Sequence, residues 1–125
     1  LTGARATAFI DDMAAAYREA DLLLCRAGAS TLAEVTVCGR PAILVPFPFA
    51  ADDHQSANAR TLAQSGGALH IPQDTLTADG LLTLLQELTQ DPARLRKMAA
   101  CSRAEGKPDA VRAIADTLEQ EVARV

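Results

Sequence analysis

Residues 22–38 read LLLCRAGASTLAEVTVC, and this stretch decides the fold class. Four apolar residues in a row, at 22–25, are typical of a strand that is buried on both faces of a sheet. The segment Arg-Ala-Gly-Ala at 26–29 interrupts the run, and residues 30–38 then predict a helix that ends before Gly39, a common helix-terminating residue. A buried strand joined to a helix by a short turn is the repeating unit of parallel α/β sheets.

The same unit recurs along the chain. Residues 42–45 and 68–71 predict two further short strands, and the segment from Asp52 or Asp53 to about Gln64 predicts a helix between them. Asp52 with Gln55 three residues later fits a capping box. Four other helices are predicted: one capped by Asp11 or Asp12 and running to about Ala20, one that opens at Thr77, one at Asp91-Pro92, and one at Pro108.

The alternation of strands and helices predicts an α/β fold, a Rossmann-like parallel sheet with helices on both faces. The length of 125 residues suits one domain. Three strands are few for a doubly wound sheet, which commonly has about six. Residues 1–8 show no initiator Met and no clear periodicity. We therefore interpret residues 1–125 as part of a larger domain.

Composition argues against several classes of function. The formal net charge is -4 and aromatic residues make up 3% of the chain, which disfavours nucleic acid as a partner. The apolar run at 41–51 contains three prolines and is too short to span a bilayer, and no export signal is recognisable. Three widely spaced cysteines, with no CxxC pair, predict reduced thiols in a cytosolic protein and no metal site.

The first candidate site lies where the strand at 22–25 gives way to a helix. Backbone N–H groups at a helix start lack internal partners, and the small residues Gly28 and Ala29 would let a diphosphate approach them. Ser30 and Thr31 could add hydroxyl donors, while Glu34, one turn further on, could accept from ribose hydroxyls. The alternative is a plain N-cap by Ser or Thr with Glu34 in solvent. GxGxxG is absent, which weakens a dehydrogenase interpretation.

The second candidate site is the polar start of the next helix. His54, Gln55 and Asn58 offer donors and acceptors of the kind that sugar hydroxyls need. The alternative is that Gln55 serves the capping box while His54 and Asn58 face solvent. His70, in the third strand, is interpreted as structural. No nucleophile elbow, carboxylate pair or metal-ligand spacing is recognisable, so no catalytic residue is assigned.

Several motifs, in this order, resemble glycosyltransferase family 28 over nearly the whole chain: FIDDM at 9–13, CRAGASTLAE at 25–34, VPF at 45–47, DHQSANA at 53–59 and KPDA at 107–110. That family contains the bacterial transferases that move N-acetylglucosamine from its UDP donor to lipid I and so make lipid II. It has the GT-B fold, in which two Rossmann-like domains face each other across a cleft. The resemblance implies that residues 1–125 are the latter part of the carboxyl-terminal, donor-binding domain.

The resemblance also implies which residues contact the donor. The backbone at Ile10 would contact uracil, Glu34 would hold the ribose hydroxyls, and Arg26 would orient the loop. Further residues would line the diphosphate and the sugar, and these are Gly28, Ala29, Ser30 and Thr31. N-acetylglucosamine hydroxyls would meet His54 and Gln55, with Asn58 behind them. The glycine-rich Gly-Gly-Ser loop of the family's donor side has no counterpart here.

The partners implied by the resemblance are UDP-N-acetylglucosamine and, through an amino-terminal domain that this chain lacks, lipid I. That missing domain would also supply the general base and the membrane contact. We therefore expect a soluble chain that is inactive alone, in an enzyme peripheral to the cytoplasmic side of the inner membrane, with no cofactor. Two alternatives remain: a nucleotide-sugar-binding module that needs a partner chain, and a related glycolipid synthase.

Overall fold

Three strands form one parallel sheet in the computed structural model, which describes residues 3–49 and 53–124. The strands are β1 (Leu23–Cys25), β2 (Ala42–Leu44) and β3 (Ala68–His70), and they are paired in the order β1-β2-β3. The register places Leu24 opposite Ile43, and Ile43 opposite Leu69. The parallel pairing and the alternation of strands with helices confirm the predicted α/β class.

The described residues form six α-helices: α1 (Met13–Glu19), α2 (Ala29–Val37), α3 (His54–Gln64), α4 (Ala78–Thr89), α5 (Pro92–Glu105) and α6 (Ala110–Ala123). A short 3-10 helix, Gln73–Thr75, precedes α4 and was not predicted. Side-chain caps are confirmed at three predicted positions, where Asp12, Thr77 and Asp91 accept hydrogen bonds from first-turn amides. The last helix begins at Ala110, two residues later than the predicted start at Pro108.

Two hydrophobic layers cover the sheet. Successive residues of a strand point to opposite faces, so Ala42 and Leu44 face the front layer while Ile43 faces the back layer. The front layer consists of α1, α2 and α3, with Tyr17, Val35 and Leu62 in its core. The back layer consists of α4 and α5, with Leu88 and Met98 packed with Ile43. All three residues of β2 are fully buried, as predicted for a central strand.

The edge strand β1 departs from the prediction. Residues 22–25 were expected to be buried on both faces, but Leu24 is 50% exposed and its neighbours Leu23 and Cys25 are only partly buried. β1 has a neighbouring strand on one side only, where Leu24 pairs with the fully buried Ile43. An apolar run indicates a strand, and it does not distinguish a central strand from an edge strand.

The turns before β2 and β3 pack against α5 and leave no room for side chains. Gly39 ends α2 with φ +63, and a Cβ there would lie 2.6 Å from Arg103 Nε. A Cβ at Gly67 would lie 2.8 Å from the Cα of Ser102. Both turns precede strands, so α5 lies at the amino-terminal edge of the sheet. The opposite, carboxyl-terminal edge carries the loops that contain most of the predicted site residues.

The last helix, α6, carries an apolar stripe formed by Ile114, Leu118 and Val122. Ile114 and Leu118 are each 61% exposed and Val122 is 73% exposed, so the described residues do not cover this stripe. Among the described residues, no helix combines the length and the apolar character that crossing a membrane requires.

Candidate functional site

The start of α2 is the centre of the candidate site, and no side chain caps it. Gly28 is the N-cap residue and α2 begins at Ala29, one residue earlier than predicted. Ser30 and Thr31 therefore lie inside the first turn, and the interpretation of either as the N-cap is wrong. The first intrahelical bond here runs from Leu32 N to Gly28 O, 3.0 Å. The amides before Leu32, together with the helix dipole, form an arrangement that can bind an anion.

Two side chains of α3 hold the loop that leads into α2. Gln55 Oε1 accepts hydrogen bonds from Ala27 N (3.2 Å) and Phe47 N (2.9 Å). Asn58 Nδ2 donates to Ala27 O (3.1 Å). Both peptide groups of the fully buried Ala27 are thus bound by α3. We call these three residues the Ala27 clamp; it fixes the position of Gly28 and of the amides that follow.

The clamp corrects two expectations for α3. In a capping box the Gln55 oxygen would accept from the N-cap amide, but its lone pairs are used by Ala27 and Phe47. That capping interpretation is wrong for Gln55, while its proposed partner Asp52 lies outside the described residues. Asn58 is partly buried against the loop and does not face solvent. Both side chains act between elements that are far apart in sequence.

The start of α3 lies next to the start of α2. Gln55 Nε2 is 3.8 Å from where a Cβ would stand on Gly28, so the two helix starts are neighbours. The N-cap residue of α3, Asp53, has φ 54 in the left-handed region, and its side chain makes no cap hydrogen bond. His54, the first residue of α3, is exposed. The sugar contacts predicted for His54 and Gln55 remain predictions.

Arg26 joins the loop after β1 to the loop after β2. Its Nη1 donates to the carbonyl oxygens of Val45 and Pro46, each at 3.3 Å. The guanidinium carbon stands 5.6 Å from the ring centroid of Phe47, within the range of a cation–π contact. Phe47 in turn meets Phe49 edge to face, with centroids 5.6 Å apart. Arg26 therefore connects the two loops at this edge of the sheet, and its predicted role in orienting the loop remains a prediction.

Glu34 has one partner that was not predicted. Its Oε2 accepts a hydrogen bond from the Tyr17 hydroxyl at 2.7 Å. The Tyr17 ring is 7% exposed in the front-layer core. Burial, and then the hydrogen bond to Glu34, raise the pKa of Tyr17 well above its usual value. The phenol is therefore a stable donor. Glu34 is otherwise exposed, as the solvent alternative expected, and its predicted contact with ribose hydroxyls remains a prediction.

A groove of about 470 Å³ runs beside this pair, between α1, α2 and the segment before α6. Its lining is mainly apolar and includes Met13 and Val37, with Lys107 among the polar residues. Ile10 is 45% exposed and lines a shallow depression formed by residues of the segment 5–19. The contact predicted for the Ile10 backbone remains a prediction.

The described His, Cys, Asp and Glu side chains were compared with the needs of a metal site. No group of three or more His, Cys, Asp and Glu side chains in residues 3–49 and 53–124 is arranged to hold a metal ion. The three cysteines are free thiols, each partly buried. Burial raises the pKa of Cys25, which makes it a weaker nucleophile at neutral pH.

The chain is similar to known transferases. The family model described as "Glycosyltransferase family 28 C-terminal domain" matches residues 2–114. A protein named UDP-N-acetylglucosamine--N-acetylmuramyl-(pentapeptide) pyrophosphoryl-undecaprenol N-acetylglucosamine transferase, from Nitratidesulfovibrio vulgaris strain DP4, is 51% identical over 114 residues, covering 91% of this chain and 31% of the relative. Its namesake from Alkalilimnicola ehrlichii is 52% identical over 107 residues, covering 86% and 30%.

A solved structure agrees with these relatives. The crystal structure of Acinetobacter baumannii MurG superposes with a TM-score of 0.83 at 44% identity, covering 90% of this chain and 32% of that protein. The chain thus spans about a third of the length of the proteins that it resembles.

Proposed function

Because this chain belongs to the glycosyltransferase family 28 C-terminal domain family, we propose that it is the portion of a larger transferase that binds the donor UDP-N-acetylglucosamine. The observation that carries the proposal is the uncapped start of α2, held in place by the Ala27 clamp. In α/β sheets, ligands bind beyond the carboxyl ends of the strands, and this helix start directly follows the end of β1.

The diphosphate of the donor would bind at residues 28–31. The free amides of that segment and the positive end of the α2 dipole are complementary to a pyrophosphate. The same groups would stabilise UDP as it departs, which is the electrostatic requirement of sugar transfer. Glu34 would accept from the ribose hydroxyls, and His54 and Gln55 would contact the sugar, with Asn58 behind them. Ile10 would contact uracil through its backbone.

In the whole enzyme, N-acetylglucosamine would pass from UDP to the C4 hydroxyl of lipid I, with inversion in a single displacement. Acceptor binding, the general base and the contact with the cytoplasmic side of the inner membrane would belong to an amino-terminal domain beyond this chain. The relatives described above have the N-acetylmuramyl-pentapeptide acceptor in their names. That favours the lipid I acceptor over the acceptor of a glycolipid synthase.

Glu34→Ala, in the full-length polypeptide that carries this chain, tests the proposal. Loss of a charged hydrogen-bonding partner should raise the donor KM by about 10- to 100-fold, since such bonds contribute about 1.5–3 kcal/mol. Glu87→Ala is the matched control, because Glu87 is an exposed glutamate on α4 in the back layer. An equal donor KM in the two variants would remove Glu34 from the donor site.

Calorimetric titration addresses the identity of the donor. The full-length protein should bind UDP-N-acetylglucosamine in preference to other nucleotide sugars, and the 125-residue chain alone should transfer no sugar. Preference for a different nucleotide sugar would refute the donor assignment, and turnover by the 125-residue chain would show that the base lies within it.

A further inference from the structure

Tyr17 is a core residue whose polar atom contacts a residue of the candidate site. Its ring is packed in the front layer with Val35 and Leu44, and only 7% of the residue is exposed. Its hydroxyl donates to Glu34 Oε2 at 2.7 Å, the length of a charge-assisted O–H···O⁻ bond. Glu34 is otherwise exposed on α2. The fixed ring of Tyr17 therefore restrains a carboxylate that would be mobile without it.

We propose that Tyr17 is a positioning residue that holds the Glu34 carboxylate in the orientation in which it accepts hydrogen bonds from the donor ribose. This inference rests on the proposed function of Glu34. An ionised carboxylate has about four lone-pair sites, so one bond from Tyr17 leaves Oε1 and part of Oε2 for two ribose hydroxyls. An exposed glutamate loses rotamer freedom when a ligand binds it. The hydrogen bond from Tyr17 restricts the rotamers of Glu34 before the ligand binds.

A purely structural role is the competing explanation, because the same bond also fastens α1 to α2. The two explanations predict different measurements. A fastening bond supports the whole domain, so its loss would weaken the binding of every ligand equally and lower the melting temperature. A positioning bond acts through the ribose hydroxyls, so its loss would matter only for ligands that have them.

The test uses Tyr17→Phe in the full-length polypeptide, which removes only the phenolic oxygen. The KM for UDP-N-acetylglucosamine should rise roughly tenfold through the loss of one charge-assisted bond. The kcat should stay within about twofold, since the lost interaction is made in the ground state and the transition state alike. UDP binding should weaken by a similar factor, while the binding of 2′,3′-dideoxy-UDP should not change.

Thr89→Val is the matched control. It also deletes a hydrogen-bonding hydroxyl, which donates to Leu85 O on α4 in the back layer. This control should alter neither the KM nor the binding of either nucleotide.

The outcomes separate the two proposals. If Glu34→Ala leaves the binding of UDP unchanged, the proposed role of Glu34 fails, and the role of Tyr17 fails with it. If Glu34→Ala behaves as expected but Tyr17→Phe binds UDP normally, or weakens UDP and 2′,3′-dideoxy-UDP equally, only the positioning role is overturned.

A second measurement needs no variant, and it decides the case if Tyr17→Phe does not fold. In a crystal structure of the unmodified full-length protein with UDP, the Tyr17–Glu34 bond should persist while Glu34 Oε1 contacts the ribose. A Glu34 side chain that leaves Tyr17 in order to reach the ribose would refute positioning by Tyr17.

Discussion

Two helices of the front layer, α2 and α3, begin differently from the helices of the back layer. In the back layer, Thr77 accepts a hydrogen bond from Gly80 N at the start of α4, and Asp91 accepts one from Arg94 N at the start of α5. In the front layer, Asp12 caps α1 in the same way, but Gly28 and Asp53, the N-cap residues of α2 and α3, make no side-chain cap bond. Caps satisfy first-turn amides and stabilise a helix. The uncapped start of α2 directly follows the end of β1, where free amides are of use to a ligand.

The largest effect on UDP binding is expected from a negative charge placed at the uncapped start of α2. Ser30→Asp should stabilise the helix by up to about 1 kcal/mol, because a carboxylate favours the positive end of the dipole. It should weaken UDP binding by about 100-fold or more, because like charges roughly 4 Å apart repel by several kcal/mol at a protein surface. A thermal melt and a calorimetric titration of the full-length protein measure the two effects.

Ser30→Asn is the control for that prediction, since it has nearly the same shape and no charge. UDP should bind this variant far more tightly than it binds Ser30→Asp, with only the small loss that follows from removing the Ser30 hydroxyl. If Ser30→Asp binds UDP as well as Ser30→Asn does, the diphosphate does not lie at this helix start.

A second variant tests whether the front layer depends on the Ala27 clamp. Gln55→Ala removes the acceptor of Ala27 N and Phe47 N, and should lower the free energy of unfolding by about 1–3 kcal/mol. UDP binding should weaken as well, because the start of α2 loses its support. Denaturant unfolding and titration measure the two changes.

Gln86→Ala is the control for that prediction. At an exposed position on α4, it should change the free energy of unfolding by less than about 0.5 kcal/mol. Equal effects of the two variants would rule out a supporting role for Gln55.

The smallest effect on stability and UDP binding is expected from a substitution in the back layer. Asp91→Ala removes the cap of α5 and should lower the free energy of unfolding by about 1 kcal/mol without changing UDP affinity. Asp109→Ala is the matched control, since Asp109 is the N-cap residue of α6 and makes no cap hydrogen bond. A loss of UDP affinity in Asp91→Ala would contradict the separation of a supporting layer from a binding layer.

The sequence predicts those parts of the fold that depend on neighbours along the chain. The apolar run at 42–45, the capping residues Asp12, Thr77 and Asp91, and the terminating Gly39 each act within about one helical turn or strand. The strand is found at Ala42–Leu44, one residue shorter than predicted, and Asp12 is the cap of the two that were proposed. The start of α2 was predicted at residue 30, but the helix starts at residue 29. This difference of one residue changes the role of Ser30 from an N-cap to an exposed first-turn side chain.

The contacts that form the site could not be predicted in this way. The hydrogen-bonded partners are far apart in the sequence: Gln55 and Ala27 are separated by 28 positions, Asn58 and Ala27 by 31, and Tyr17 and Glu34 by 17. Such meetings depend on how helices pack on the sheet, which the periodicity of one segment does not encode. Family resemblance proposed Glu34, Gln55 and Asn58 as site residues, but it did not indicate that Gln55 and Asn58 would bind backbone or that Tyr17 was involved.

The Ala27 clamp has a mechanical consequence. Because α3 binds both peptide groups of Ala27, the loop cannot swing away without breaking part-buried hydrogen bonds or carrying α3 with it. Any closing movement around a bound nucleotide that keeps these bonds must therefore move the loop and the helix together.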